Sequence, residues 1–334
     1  MQSAKWWLRP GWTLAFDGDA IVATSDIQKF KITPPPGTLA DWFVRECAPG
    51  SAVPDVSTQV VTNGDLGRAL ERLGAALSDT EFDHERLSIE RSRQAAYFAH
   101  IGLSPTSVAA RLAASKVLLL GAGGLGSVVL QHLVGAGVGR ISIVDDDVVE
   151  KSNLERQFIY TLDAVGTSKS GAAVEFVRRR THASEVIGLE RSVRNGDDLR
   201  EMITDEDVDI CVVCIDRPSV AALEFPLEVC WSHGVAGVQA GVMCRSGFYG
   251  PVFDRQYSSH PPYAFKVKPT AAAAKGPTNV AFGPYNTIVG AHLAAEVLHY
   301  LANAFAYVDF ENRQIVDFAR GRTVRLGPGN VVKD

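Results

Sequence analysis

The stretch Lys116-Val-Leu-Leu-Leu-Gly-Ala-Gly-Gly-Leu-Gly126, with Arg140-Ile-Ser-Ile-Val-Asp-Asp-Asp147 after it, decides the fold. An apolar run of strand length ends in Gly121, Gly123 and Gly126, a G-x-G-x-x-G turn that also contains Gly124. Residues 125–134 continue at helical spacing. Glycine permits the tight turn and lets phosphates approach the backbone at a helix N-terminus, where free N–H groups and the helix dipole favour anions. Residues 140–144 read as the next strand. Asp145 stands at its end, where a carboxylate reaches ribose hydroxyls. These features alone fit NAD, FAD or ATP equally.

The residues downstream narrow the choice. Asn153, Arg156 and Gln157 stand in Ser152-Asn-Leu-Glu-Arg-Gln157, and Lys169 closes Gly166-Thr-Ser-Lys169. A dinucleotide dehydrogenase does not need these groups. An enzyme that joins a carboxylate to the α-phosphate of ATP does, because an anion meets an anion and catalysis becomes mostly charge neutralisation and positioning. Arg156 can fork two phosphate oxygens and Lys169 supplies a point charge. Asp216 follows the strand-like run 209–215 and is suited to hold Mg²⁺ through one carboxylate, with waters and phosphates completing the shell.

Outward from this core, strands and helices alternate as in a mainly parallel Rossmann-like sheet. Further strands are expected at 209–215, 235–241, 247–253, 314–318 and 323–326, and helices at 166–180 and 288–301. Residues 260–279 are rich in Pro, Ala and Lys without apolar periodicity, which predicts a mobile loop. At the N-terminus, residues 12–16, 20–25 and 27–32 read as strands. Leu39, Trp42 and Phe43, and then Leu66, Leu70, Leu73 and Leu77, recur at helical spacing. This order predicts an α/β chain with a small winged-helix-like domain over residues 1–80 and a nucleotide-binding domain over 81–334, joined through the polar stretch 78–85.

Composition excludes several classes. A net charge of −5 gives no support for nucleic-acid binding. No apolar run approaches a membrane span, and Met1-Gln-Ser-Ala-Lys-Trp-Trp-Leu8 lacks the apolar core and cleavage site of a signal peptide. A cytoplasmic location is expected.

On the residues from 144 to 169 the sequence resembles the superfamily of ubiquitin-activating, MoeB and ThiF adenylating enzymes, over roughly residues 90–300. The resemblance implies ATP and Mg²⁺ as cofactors. It places the family's ATP-binding groups on Asp145, Asp147, Asn153, Arg156 and Lys169, and its Mg²⁺-handling aspartate on Asp216, although the usual Thr-Asp-Asn is here Ile215-Asp216-Arg217. A family arginine that reaches into the neighbouring subunit's site matches Arg93, which implies a homodimer. Two family features are missing. One C-x-x-C pair, Cys211 and Cys214, is present, and residues three apart on a strand face opposite sides, so no zinc site is expected. No cysteine stands between residues 245 and 279, the family's crossover loop region (about 254–280), where a relay cysteine would act. Cys230 and Cys244 are expected to be packing residues. The loop holds Lys266, Lys268 and Lys275, which read either as a solvated basic surface or as a lid over peptide and phosphates.

The added N-terminal domain resembles leader-peptide recognition domains, which extend a sheet edge with an unfolded peptide. The whole plan is similar to the peptide-maturing members of the superfamily, of the microcin C and pantocin A type. That resemblance implies adenylation of a carboxylate on a ribosomally made precursor peptide, with leader-bearing peptide as partner. Two alternatives remain: activation of a ubiquitin-like or sulfur-carrier protein at its C-terminus, and a non-catalytic ThiF-like leader-binding partner.

Overall fold

The computed structural model describes residues 6–8, 13–17, 20–24, 28–32, 60–61, 68, 70–72, 76–78, 91–215, 225–265 and 281–329. The chain divides into two compact units, Met1–Ala110 and Arg111–Asp334.

The first unit contains β1 (Trp6–Leu8), β2 (Thr13–Asp17), β3 (Ala20–Thr24), β4 (Lys29–Ile32), β5 (Val60–Val61) and β6 (Ala76–Ser78). The three strands expected near the N-terminus are present as the antiparallel sheet β2-β3-β4. Phe16 pairs with Ile21 and Asp17 with Ala20, a register that leaves two residues between the paired strand ends. A second sheet, β5-β1-β6, was not legible. It corrects the expected leucine stripe. Residues 70–72 are helical and Leu70 is buried, but Leu77 lies in β6, paired with Trp7. Spacing of three and four cannot show where a helix stops when a strand follows. Leu39, Trp42, Phe43, Leu66 and Leu73 lie outside the described residues. Helix α1 (Ser92–His100) carries Arg93, which is exposed, and α2 (Pro105–Ala114) follows.

Among the described residues the second unit carries an eight-stranded sheet. Along the chain it runs β7 (Lys116–Leu120), α3 (Gly126–Ala136), β8 (Arg140–Val144), α4 (Lys169–Arg180), β9 (Glu185–Leu189), α5 (Gly196–Glu206), β10 (Ile210–Val213), α6 (Phe225–His233), β11 (Ala236–Val242), β12 (Ser246–Tyr249), α7 (Gly283–Leu301), β13 (Arg313–Asp317) and β14 (Arg322–Leu326). Strands β9-β8-β7-β10-β11 pair in parallel, and β12, β13 and β14 extend the sheet antiparallel from β11. A parallel sheet is covered on both faces, and its inner strands are accordingly apolar throughout. On one face Leu118, Leu120, Val144, Cys211 and Val213 pack against Leu199, Met202 and Ile203 of α5 and Leu227 and Cys230 of α6. Elsewhere α3 packs against α7, and α7 against β11 and β12.

Strand order reverses at β7, which has β8 on one side and β10 on the other. The crevice outside the strand ends at such a switch point is where open α/β sheets take ligands. The glycine turn leaves β7 there, and the Cys214 N–H donates to the Leu120 carbonyl at 2.8 Å, which holds the end of β10 beside it.

Three expectations need correction. Residues 260–265 are not a structureless loop: Pro262–Phe265 forms a 3₁₀ turn and buries Phe265 edge-on against Phe253. The remainder of that stretch, with Lys266, Lys268 and Lys275, lies outside the described residues. The long apolar helix α7 begins at Gly283, five residues ahead of the expected start, with a proline in its first turn. Cys244 is exposed in the β11–β12 connection and is not a packing residue. Cys230 is buried beside Cys211, and that contact together with burial pushes the Cys211 thiol up. No helix among the described residues is long and apolar enough to cross a membrane.

Candidate nucleotide site

Backbone geometry explains the glycines. Gly121 has φ +91°, in the left-handed region where a side chain is strained, and a Cβ there would lie 2.8 Å from the Cys214 carbonyl oxygen. A Cβ on Gly126 would lie 1.8 Å from the Gly121 carbonyl oxygen. The turn closes only without side chains at these two points. Gly121 N–H also donates to the Val144 carbonyl at 2.8 Å, which joins the turn to the end of β8.

Asp145 is the clamp of this turn. Its carboxylate accepts from the Ala122 N–H at 2.7 Å and the Asp147 N–H at 2.9 Å. Burial pushes its carboxyl above the ordinary carboxylate range, while the Ala122 amide, the Lys169 charge and the Asp147 amide pull it back. Its first role is thus to shape the turn that would meet the phosphates.

Lys169 reaches the site by a short antiparallel closure. Val149 N–H donates to Thr167 carbonyl at 2.9 Å, Gly166 N–H to Val149 carbonyl at 2.8 Å and Lys169 N–H to Asp147 carbonyl at 2.9 Å. Ser168 caps α4 by accepting from Gly171 N–H at 3.2 Å, so Lys169 opens the helix. Its Nζ lies 2.9 Å from Asp147 Oδ2, and its side chain is only 9 % exposed. A buried lysine away from a partner is costly, and this ion pair offsets that cost.

The segment between Asp147 and Lys169 carries the remaining groups. Asn153 is buried and its Oδ1 accepts from Glu150 N–H at 3.1 Å, a cap on the 3₁₀ turn Lys151–Asn153. Arg156 Nη1 donates to the Ser152 carbonyl at 2.7 Å and to Glu155 Oε1 at 2.9 Å. Its side chain is half-buried. Gln157 is 3 % exposed and its Oε1 has no hydrogen-bond partner. The structure therefore brings Gly121, Gly123, Gly124, Gly126, Asp145, Asp147 and Lys169 together, with Asn153, Arg156 and Gln157 on the connecting segment. Arg93 belongs to the first unit. Asp216 and Arg217 lie outside the described residues.

Tyr160 is a residue that sequence reasoning missed. It is buried, its hydroxyl donates to the Ala122 carbonyl at 2.8 Å, and the Lys169 carbonyl is 3.3 Å away. Burial, with Asp145 and Asp147 nearby, holds its phenol in the neutral form well above its ordinary range. It ties the glycine turn to the start of α4. The signal was an aromatic with a polar tip three residues after Gln157, where Phe158 is exposed and Ile159 and Tyr160 are buried.

The described carboxylates do not assemble a metal centre: no group of three metal-capable side chains occurs among the described residues. Both Asp145 contacts are to backbone amides, and Asp147 is paired with Lys169. Mg²⁺ commonly uses one or two carboxylates and takes its other ligands from phosphates and water.

The chain is 32 % identical over 237 residues to the adenylyltransferase and sulfurtransferase UBA4 of Candida glabrata, covering 69 % of this chain and 52 % of that protein. It is 38 % identical over 124 residues to the SAMP-activating enzyme E1 of Haloferax volcanii, covering 36 % and 46 %. The chain thus spans about half the length of the curated relatives it matches. Escherichia coli MccB solved with ATP superposes with a TM-score of 0.74 at 19 % identity over 98 % of both chains. PaaA superposes with a TM-score of 0.72 at 18 % identity over 96 % of this chain and 99 % of its own. At these identities the likeness establishes the fold, including its mainly parallel Rossmann-like sheet. The ThiF family model matches residues 92–322, most of the sheet and all of the site described above, and the chain belongs to the ThiF family.

Proposed function

We propose that this chain is an ATP- and Mg²⁺-dependent adenylating enzyme that activates a carboxylate on a ribosomally made precursor peptide during maturation of a peptide natural product. The observation that carries the adenylation half is Lys169. A buried cation, held by Asp147 beside a glycine turn at a topological switch point, is a phosphate device that a nicotinamide site does not require. In the reaction a carboxylate oxygen bonds to the α-phosphorus. The bond from that phosphorus to the β-bridging oxygen breaks, and pyrophosphate leaves with the electron pair. Lys169 and Arg156 neutralise the charge that gathers on the phosphate oxygens. Asp216 is the proposed protein ligand of Mg²⁺. Arg93 is proposed to act from the partner subunit of a homodimer.

The peptide half rests on the N-terminal strands and on the solved neighbours. MccB was crystallised with ATP and with MccA, and it matches this chain over nearly its whole length. Among the described residues β2 and β4 are the outer strands of the sheet β2-β3-β4, and an outer strand is where a peptide strand is added in such recognition. Residues 1–80 are proposed as the leader-recognition module and 81–334 as the adenylation module, in a cytoplasmic enzyme. The second reading is activation of a sulfur-carrier or ubiquitin-like protein. It is favoured by identity to proteins named adenylyltransferase and sulfurtransferase.

Calorimetric titration of the full chain separates the two. The peptide reading predicts binding of a leader-bearing precursor peptide that a leaderless core peptide does not match. Binding of a carrier protein with a C-terminal glycine, and of no peptide, would favour the second reading.

A further inference from the structure

We infer that Asn286, on the first turn of α7, is a phosphate-contacting residue of the nucleotide site that no sequence motif includes. The inference deepens the adenylation reading and rests on ATP occupying the glycine turn. Three observations place Asn286 there. A Cβ built on Gly124 would lie 2.5 Å from Asn286 Nδ2, so the carboxamide fills the space that a side chain on the turn would take. A Cβ on Gly283 would lie 3.1 Å from the Glu155 carbonyl oxygen and 3.5 Å from Arg156 Cβ, so the start of α7 touches both the glycine turn and the arginine segment. A Cβ on Gly290 would lie 2.9 Å from Val128 Cβ, and this close approach of α7 to α3 fixes the height at which Asn286 meets the turn.

The polar groups around that point are incomplete. Asn286 is 6 % exposed. Beside it, Gln157 Oε1 and Ser127 Oγ are buried without partners. Gln157 Nε2 lies 4.0 Å from the position of a Gly123 Cβ, and Ser127 stands in the first turn of α3. Buried polar groups left unpaired are costly and few, so two of them beside one turn, with the Asn286 carboxamide against Gly124, point to a ligand that completes them. The turn presents backbone N–H groups at a helix N-terminus, which selects an anion. A neutral carboxamide can donate to a phosphate oxygen there without adding charge to a site that already holds Lys169 and Arg156.

The test uses the full-length protein with Asn286→Asp, Asn286→Ala and, as reference, Arg156→Ala. ATP affinity is read by calorimetry and adenosine affinity by ligand-observed NMR. Aspartate in the first turn suits the dipole of α7, so Asn286→Asp is expected to fold, which a thermal melt checks. It should weaken ATP at least tenfold and adenosine less than twofold, because the new carboxylate repels phosphates and not the nucleoside. Asn286→Ala should weaken ATP about threefold or more, and it serves if the aspartate variant does not fold. ATP affinity within twofold of wild type in folded variants, with Arg156→Ala impaired, overturns the inference and leaves the adenylation reading standing. Equal loss of ATP and adenosine shows a merely structural role and also overturns it. Absence of ATP binding by the wild type removes the adenylation reading and the inference together.

Discussion

Lys169 and Asp147 are joined twice, through Nζ to Oδ2 at 2.9 Å and through Lys169 N–H to the Asp147 carbonyl at 2.9 Å. The backbone bond fixes where the side chains start, and the ion pair fixes where they end. Lys169→Ala leaves Asp147 without its cation and removes a preorganised charge from the phosphates. Turnover should fall a hundredfold or more, equivalent to about 3–4 kcal/mol of transition-state stabilisation. Steady-state kinetics checks it, and a loss under threefold in a folded variant would contradict the assignment.

The glycines of α3 and the turn before it should separate cleanly. Gly126→Ala forces a Cβ to within 1.8 Å of the Gly121 carbonyl, a backbone collision that no rotamer relieves. Loss of ATP binding and a lowered melting temperature are expected. Gly135, near the end of α3, has nothing within 4 Å of its would-be Cβ. Gly135→Ala should stabilise the protein by about 0.5–1 kcal/mol through helix propensity, with unchanged ATP affinity. Denaturant titration of both variants checks the contrast.

Tyr160→Phe removes the hydroxyl that bridges the turn and the start of α4 and leaves the Ala122 carbonyl without that donor. The expected cost is about 1–3 kcal/mol in stability, with weaker ATP binding. Chemical denaturation and calorimetry report each effect; a variant identical to wild type in both would show that the bond does not hold the turn.

Much of this site was legible because its elements are punctuated. Strands β7 and β8 are apolar runs closed by Gly121 and Asp145, and the glycine turn has one backbone solution. Other elements were not. Strand β9 is a partly exposed edge that opens on Glu185 and contains Gly188, so it lacks the continuous apolar run of its neighbours. A Cβ on Gly188 would lie 2.9 Å from the Ser170 carbonyl oxygen, a tertiary reason that no local pattern carries. Helix α5 did carry a signal, Asn195 accepting from Asp197 and Asp198 N–H groups, but its apolar residues are few. Tyr160 and Asn286 act through contacts 38 and 162 residues away along the chain, Tyr160 with Ala122 (160 − 122) and Asn286 with Gly124 (286 − 124). Spacing cannot reveal such pairs.

Glu296 on α7 gives the protein a pH signature away from the nucleotide. Burial raises its carboxyl to about 7, the Asp309 N–H that it accepts at 3.0 Å lowers it, and the Asp309 charge raises it again. A carboxyl raised above its ordinary value of 4.5 stays protonated in the folded protein where the unfolded chain has ionised. Its contribution to stability is therefore greatest at low pH and is lost as pH rises from 4.5 to about 7. The advantage of Glu296→Gln over wild type should grow across that window by on the order of 1–3 kcal/mol. Urea titrations at pH 4.5 and 8 measure it, and a pH-independent difference would contradict the environment described for Glu296.

ATP–pyrophosphate exchange reports the proposed adenylation of a peptide carboxylate at the glycine turn. With Mg²⁺, ATP and labelled pyrophosphate, exchange is predicted to depend on a leader-bearing precursor peptide and to fall a hundredfold or more in Arg156→Ala. Exchange that needs a carrier protein with a C-terminal glycine and ignores every precursor peptide, or exchange undiminished in Arg156→Ala, would contradict the account.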